Sequence, residues 1–253
     1  MKKFRLMILI VLSILYINSP SWAGPTLDVG VRGTYEDNIN GSTTDANKEG
    51  DYSTTVSAAI GGYTEVVSRT TYLFLKGGGD RSYYNKYPQL DATVGYLSAG
   101  VYHRMGDVLS MQITAKGRDK DFEGTTRDST SYGGAFELKQ QLTSSFWIKE
   151  GFEYEKNDAK SDSLDYKGQS AGIWAGIRAT PNTFLGIGYS YLLRKYELTN
   201  FESTSRTISG SIAWKMVSKI YANAGYDRQI NDSDAPGTKY YNNIHTVGLS
   251  YSY

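Results

Sequence analysis

Apolar and polar residues alternate along most of this chain. In one segment the apolar residues Leu109, Met111 and Ile113 alternate with the polar residues Ser110 and Gln112. Successive side chains of a β-strand point to opposite faces of the sheet, so this period of two predicts a strand with one apolar and one polar face. The same alternation recurs in residues 27–35, 171–177 and 185–191.

Short segments typical of tight turns recur at a regular interval. The intervals that run from Arg69 through Gly106, Thr143, Pro181 and Ser218 to Tyr253 are 37, 37, 38, 37 and 35 residues. A fixed period of this size indicates a repeated supersecondary unit. Each unit contains a strand, a polar loop and a second strand, so six units predict twelve strands.

Longer polar loops alternate with the tight turns. This asymmetry is typical of a transmembrane antiparallel up-and-down β-barrel with short periplasmic turns and longer extracellular loops. A soluble β-sandwich is the alternative, but its strands usually have about five or six residues, whereas these need ten or more, as a tilted membrane crossing does. We therefore predict an all-β fold, a twelve-stranded barrel. The predicted loops are residues 38–50, 84–89, 119–128, 157–164, 197–202 and 230–237.

The start of the chain has the features of a secretory signal peptide. The basic residues Lys2, Lys3 and Arg5 precede an apolar stretch at 6–16 that is too short to span a bilayer, and a small residue, Ala23, marks the expected cleavage site. The chain has no cysteine and so lacks the thiol that a lipoprotein signal requires. We expect export to the bacterial outer membrane. The predicted domains are a signal peptide, 1–23, and an outer-membrane barrel, 24–253.

Charge and composition narrow the possible functions. The net charge of the whole chain is +1, and removal of the three basic residues of the signal peptide leaves about −2. A balanced charge argues against nucleic acid as a partner. The absence of cysteine excludes thiolate chemistry, and the remainder of the chain has no apolar run long enough for a membrane helix.

The end of the chain resembles the C-terminal assembly signal of outer-membrane proteins. That signal combines a polar residue, a glycine and two alternate large apolar or aromatic residues, and the match falls on Thr246, Gly248, Tyr251 and Tyr253. The resemblance implies that the barrel assembly machinery recognises this segment, by addition of a strand to an exposed sheet edge. The other expected partners are outer-membrane lipid and lipopolysaccharide.

Residues 33–40, Gly-Thr-Tyr-Glu-Asp-Asn-Ile-Asn, resemble the opening of the putative outer-membrane β-barrel porins of the second type. The resemblance covers the first strand and loop, and extends to the rest of the chain only through architecture. It implies a porin barrel. A weaker resemblance links the same residues to the barrel of surface lipoprotein assembly modulators, which carry a helical periplasmic domain ahead of the barrel.

The sequence offers little for catalysis. Outer-membrane lipid and peptide hydrolases use a histidine with serine or aspartate, and only His103 and His245 are available. We expect His103 at the periplasmic rim and His245 on the outer face. Asp232 and Asp234 could bind a divalent cation, but a solvated loop in which they supply turn geometry is the favoured explanation. We therefore expect no catalytic residues, no cofactor and no metal.

Aromatic residues gather near the predicted strand ends, as in the girdles of a membrane barrel. Sugar stacking is the functional alternative. The glycine run at 77–79 stands within a strand pattern and indicates a bend or close packing in the wall. The girdle predicted at the turns contains Phe146, Phe184, Trp214 and Tyr253, and the one predicted at the loops contains Tyr35, Tyr154, Tyr191 and Tyr226.

The polar face carries charges of both signs, which we expect to line the lumen and to influence its selectivity. The leading hypothesis is a small porin for passive diffusion of polar solutes. A closed structural or interaction barrel that assists export or binds a surface partner is the alternative, and a lipid or peptide hydrolase is a third. The oligomeric state is open. The predicted lumen residues are Asp28, Arg32, Lys116, Arg118, Glu137, Lys149, Glu153, Arg178 and Asp227.

Overall fold

The chain forms twelve long antiparallel strands in the computed structural model, which describes residues 22–124, 126–234 and 239–253. The strands have 13 to 17 residues, as a tilted crossing of a bilayer requires. They are β1 Trp22–Glu36, β2 Asp51–Val67, β3 Thr71–Tyr84, β4 Ala92–Met105, β5 Leu109–Phe122, β6 Ser129–Gln141, β7 Phe146–Ala159, β8 Tyr166–Thr180, β9 Thr183–Tyr196, β10 Glu202–Val217, β11 Ile220–Ser233 and β12 Tyr240–Ser252.

The sheet closes on itself. Each strand pairs with its neighbours in the sequence, and β1 pairs with β12, so the strand order forms a closed ring. Closure satisfies the backbone N–H and C=O groups that would otherwise remain at a sheet edge, which a barrel in lipid requires. The predicted twelve-stranded barrel is confirmed, and the β-sandwich alternative is excluded.

Tight turns and longer loops alternate around the ring as predicted. The turns are residues 68–70, 106–108, 142–145, 181–182 and 218–219, and Arg69 and Gly106 adopt positive φ angles of 60° and 68°. The loops lie at the opposite end and include three short 3-10 helices, at Asp45–Asn47, Pro88–Leu90 and Asp162–Leu164. No helix in the described part of the chain is long and apolar enough to cross a membrane.

Three predicted loops start too early. We expected them to begin at residues 119, 157 and 230, but β5 continues to Phe122, β7 to Ala159 and β11 to Ser233. Consecutive polar residues interrupt the alternation in these strand ends, as at Asp119, Lys120 and Asp121, and sequence periodicity cannot distinguish such a run from a loop. Backbone pairing with the neighbouring strands nevertheless continues through them, for example from Lys120 to Ser129.

The apolar side chains cover the outside of the barrel. Ile60, Ile187 and Val247 are each 64% exposed, and the only buried hydrophobic residues among those described are Ala59 and Ala92. A soluble protein would bury such residues in a core, whereas a membrane barrel directs them to lipid. The pattern of alternation therefore has its apolar face outward.

The girdle prediction is correct for most residues and wrong for Phe184. Trp214 and Tyr253 are exposed near the turns, and Tyr154 and Tyr226 are exposed nearer the loops. Phe184 pairs in register with Arg178 and Ala213, on the face opposite the exposed Leu185. Its side chain therefore points into the barrel, because the assignment by position near a turn ignored its parity.

Hydrogen bonds from the first loop and strand fasten the seam between β1 and β12. Asn38 is 1% exposed, and its Nδ2 donates to the carbonyl oxygen of Tyr241 at 2.7 Å. Asp37 accepts from the backbone N and from Nδ2 of Asn243, at 2.7 and 2.6 Å. At the other end of the seam, Leu27 and Tyr253 exchange two backbone hydrogen bonds. Asp37 and Asn38, within the motif at 33–40, thus help to hold β1 and β12 together where the barrel closes.

The predicted signal peptide overlaps the described residues only at Trp22 and Ala23, which begin β1. The rest of it lies outside the described residues. The pairing of β1 with β2 has an irregularity between Trp22 and Pro25, so the regular register starts after the expected cleavage site. Cleavage after Ala23 stays a prediction.

Candidate functional site: the barrel lumen

All of the predicted lumen residues occupy the inward face of the wall. Asp28 and Arg32 alternate with the exposed Leu27, Val29 and Val31, which sets their direction. The remaining residues follow from the strand registers. The interior cavity of about 720 Å³ is lined by Arg32, Lys149 and Asp227. The cavities beside it are lined by Lys116, Arg118, Glu137 and Glu153, and Arg178 contacts the inward Phe184. Their influence on selectivity stays a prediction.

Among the described residues, the ion pairs in the lumen run along the wall and do not cross the central space. Lys76 Nζ on β3 lies 2.6 Å from Asp28 Oδ2 on β1, and Gly61 of β2 stands between the two strands. A side chain at Gly61 would fill the space over which Lys76 reaches, since a Cβ there would lie 3.2 Å from Lys76 Cβ.

The same arrangement joins β5 to β7. Lys116 pairs with Glu153, and Arg118 Nη1 lies 3.7 Å from Glu155 Oε2. The intervening strand β6 places Gly133 in register with Lys116 and Glu155. Small residues on the middle strand therefore let oppositely charged side chains of the outer strands meet close to the wall.

Large lumen aromatics also lie against the wall, over glycines. A Cβ added at Gly188 would lie 2.3 Å from Trp174 Cδ1, and one at Gly172 would lie 2.5 Å from Trp174 Cη2. Trp147 lies over Gly176 in the same way, since a Cβ added at Gly176 would lie 2.3 Å from Trp147 Cζ2. These glycines allow the close approach of an indole ring, which would otherwise project into the lumen.

Cations stack on the inward aromatic rings. Lys149 Nζ lies 5.0 Å from the ring centroid of Trp174, and its ammonium also lies 2.8 Å from Glu137 Oε1. Arg178 lies 5.3 Å from the ring of Phe184. Stacking and ion pairing together restrain these long side chains near the wall.

The lumen has two chemically different sides. Strands β3 to β9 carry most of the charges and the aromatic rings described above. Strands β10 and β2 present hydroxyl and small side chains, among them Ser205, Thr207, Ser209, Thr55 and Ser57. Hydroxyl groups therefore prevail on β10 and β2, whereas Arg32 of β1 and Asp227 of β11 place charges between these two strands.

Three interior cavities have volumes of about 720, 390 and 300 Å³. The first two share Trp174, and the second and third share Arg118, Glu137 and Glu153. Adjoining cavities of this size can hold water and small polar solutes.

Sequence reasoning missed several inward charges: Lys76, Asp80, Lys120, Glu155 and Arg194. Parity was the available signal, because Lys120 follows Arg118 by two residues and Glu155 follows Glu153 by two. The early loop boundary hid Lys120, and the glycine run at 77–79 interrupted the alternation around Lys76 and Asp80. That run is a close-packed part of the wall, since a Cβ at Gly78 would lie 2.7 Å from the hydroxyl of Tyr96.

The proposed assembly signal forms part of the closing strand β12. Thr246 and Gly248 face inward in register with Thr34 and Arg32, whereas Tyr251 and Tyr253 are exposed on the outside. Recognition by the assembly machinery stays a prediction.

Both histidines have structural surroundings. His103 Nδ1 lies 2.8 Å from the hydroxyl of Thr71, near a turn. The ring of His245 lies between those of Tyr35 and Tyr226, tilted to both, with centroid distances of 6.4 and 5.1 Å. Asp232 pairs with Lys239 at 3.5 Å. Within residues 22–124, 126–234 and 239–253, no group of three acidic, histidine or cysteine side chains is placed to hold a metal ion.

Solved structures share this architecture. An outer-membrane channel from Pseudomonas putida F1 matches with a TM-score of 0.64 and 10% identity, over 93% of this chain and 97% of that one. The chain has the fold of an outer-membrane porin. The NanC porin matches with a TM-score of 0.60 and 11% identity, over 88% of this chain and 98% of that one.

The KdgM porin in complex with disordered oligogalacturonate matches with a TM-score of 0.55 and 8% identity, over 89% of this chain and 99% of that one. At such identities the likeness shows the porin fold alone. No protein-family model and no curated protein matches the chain. The resemblance to porins of the second type therefore rests on the opening motif.

Proposed function

We propose that this protein is a non-enzymatic channel of the bacterial outer membrane, through which small polar solutes diffuse passively. The observation that carries the proposal is the position of the large lumen side chains. Ion pairs such as Lys76–Asp28 and rings such as Trp174 lie along the wall, and adjoining cavities occupy the interior.

A closed structural barrel would need side chains that meet across the lumen. In the described part of the chain, the lumen ion pairs join strands that are neighbours or next-nearest neighbours. A network of this kind stiffens the wall and leaves the axis to water. This arrangement favours the channel over the closed barrel.

Placement in the outer membrane is supported by the apolar exterior, the aromatic residues near both rims and the predicted signal peptide. We infer that the assembly machinery recognises the segment from Thr246 to Tyr253, and that lipopolysaccharide and lipid surround the barrel. We also propose that the chain is one of the putative porins of the second type, because the residues at 33–40 resemble the opening of those proteins.

Single-channel recording of the purified, refolded protein in planar bilayers tests the proposal. We expect stable unitary current steps. Trp174→Ala should raise the unitary conductance, because it removes an indole that borders two cavities. The matched control is Trp214→Ala, which removes an indole from the lipid face and should leave conductance unchanged. A folded barrel that produces no current steps refutes the channel and favours a closed structural barrel.

A further inference from the structure

Three cations and one carboxylate converge in the loop half of the lumen. Arg118 and Lys120 of β5, Glu155 of β7 and Arg194 of β9 all line the cavity of about 390 Å³. Glu137 and Glu153 line the same cavity, but they form ion pairs with Lys149 and Lys116. Lys120 lies two residues before the end of its strand, and Arg194 lies two residues before the end of its own. The cluster therefore faces solutes that enter from the loop side.

Glu155, the carboxylate of this cluster, is already engaged. Glu155 Oε1 accepts a hydrogen bond of 2.8 Å from the Tyr166 hydroxyl, and its Oε2 lies 3.7 Å from Arg118. Among the described residues, neither Lys120 nor Arg194 forms an ion pair. Arg118 and Lys120 stand two residues apart on the inward face of β5, so their like charges lie on the same side of one strand. The cluster therefore has an excess of positive charge.

Arg194 is held in place but incompletely satisfied. Its guanidinium lies 5.1 Å from the ring centroid of Tyr166, which orients the planar group, and its Nε is buried without a hydrogen-bond acceptor. A buried donor without a partner is unfavourable. A negatively charged ligand in the cavity would interact favourably with the Arg194 guanidinium and reduce the repulsion among the cations.

Strands β10 and β11, beside β9, add uncharged donors to the same cavity. Gln229 Nε2 donates to Ser205 Oγ at 2.9 Å, so the Ser205 hydroxyl accepts there and keeps its own hydrogen for another acceptor. Thr207 lines the same cavity. Cations and hydroxyl donors around one cavity are the surroundings that an oxyanion requires.

We propose that Arg118, Lys120 and Arg194 form a binding subsite for an oxyanion, the carboxylate or phosphate group of a small solute that passes through the lumen. The inference rests on the proposed channel function and deepens it, since it names anionic solutes as the favoured class. Occupation would be brief, because the cavity is open to the lumen and conduction requires release.

Current block by inorganic phosphate tests the subsite. Phosphate is added to the loop side of single channels at constant ionic strength, with citrate in a parallel series as a carboxylate probe. We expect block by phosphate, citrate or both, and the more potent probe identifies the favoured oxyanion. Arg194→Gln and Lys120→Gln should each raise the concentration for half-block about tenfold, the effect of losing roughly 1.4 kcal/mol of binding.

The matched control is Lys215→Gln, which removes an inward lysine near the turn end of β10. It should leave the half-block concentration unchanged. Folding of each variant is checked by its heat-modifiable migration in gels. Conducting channels that neither anion blocks, or that lose block equally in the Lys215 control, overturn the subsite.

A binding measurement separates this inference from the channel proposal. Isothermal titration of phosphate and of citrate into the detergent-solubilised barrel needs no current. Binding that Arg194→Gln weakens would support the subsite even in a protein without current steps, a result that refutes the channel alone. A conducting barrel that binds neither anion overturns the subsite and leaves the channel intact.

Discussion

The pair Lys149–Glu137 makes the clearest prediction about lumen electrostatics. Glu137→Gln removes the acid 2.8 Å from the ammonium and leaves Lys149 opposite Lys139 in the register. The reversal potential in a KCl gradient should then shift toward the equilibrium potential of chloride. Lys149→Gln leaves Glu137 without its cation and should shift the reversal potential toward the equilibrium potential of potassium. The double variant restores the net lumen charge and should return to the wild-type value.

The magnitude of the stability effect follows from the distance and exposure of the pair. Two unit charges 2.8 Å apart attract by about 1.5 kcal/mol in bulk water. The side chains are 32% and 37% exposed, so screening and the ordering of two long chains reduce the net coupling to about 0.5–1 kcal/mol. This coupling is small against the stability of the barrel, and all three variants should fold.

Two assays independently test this double-mutant cycle, which comprises the wild type, the two single variants and the double variant. Planar-bilayer recordings give the reversal potentials, and urea unfolding in lipid vesicles gives the coupling free energy from the four proteins. Lys215→Gln is the control for loss of an inward lysine without an ion pair among the described residues. The reasoning fails if both single variants shift the reversal potential in one direction, or if the double variant does not restore it.

Three other changes test separate parts of the structure. Gly188→Leu should lower unitary conductance, because its Cβ would lie 2.3 Å from Trp174 and push the indole into the lumen; bilayer recording measures this. Asn38→Ala should lower the free energy of unfolding by about 1–3 kcal/mol, since it leaves buried seam groups unpaired, as urea titration would detect. Ile187→Arg should destabilise the barrel by about 2–4 kcal/mol, because a charge would face lipid.

Each of these changes has a matched comparison. The control for Gly188→Leu is Gly210→Leu, which places a leucine on the outer, lipid-facing side of the wall. A Cβ at Gly210 meets no atom within 4 Å, so this variant should leave conductance unchanged. Asn40→Ala removes an exposed loop amide and should leave stability nearly unaltered. Ile187→Leu keeps the lipid face apolar. A control that behaves like its test variant would show that the stated contact is not the cause.

Much of the wall could be predicted from the sequence because its physics is local. Parity along a strand decides whether a residue such as Lys116 faces the lumen or the lipid, and the exposed Ile113 on the same strand confirms the direction. The direction of Phe184 was predicted wrongly because parity was not applied to it. Beyond Asp119, polar residues occupy both faces of β5, so parity could not locate the end of the strand. The errors in the predicted strand boundaries therefore fall at strand ends, whereas the strand centres were assigned correctly.

Lumen contacts could not be predicted, since they join residues far apart in the chain. Lys76 meets Asp28 across Gly61, and Arg194 approaches Tyr166 from the adjacent strand. Each contact depends on the register between strands and on a small residue at one position, neither of which periodicity reveals. The unpaired Nε of Arg194 became visible only with the coordinates.

The sequence by itself determined the strand number, the antiparallel order and the two faces of the wall, because a period of two and regular turn spacing suffice for these. Only the tertiary structure decided how the lumen is occupied. Closure brings β1 against β12, and register places glycines beneath indoles and between opposite charges. The direction of a side chain is a property of its own strand, but the space left inside depends on all twelve strands together.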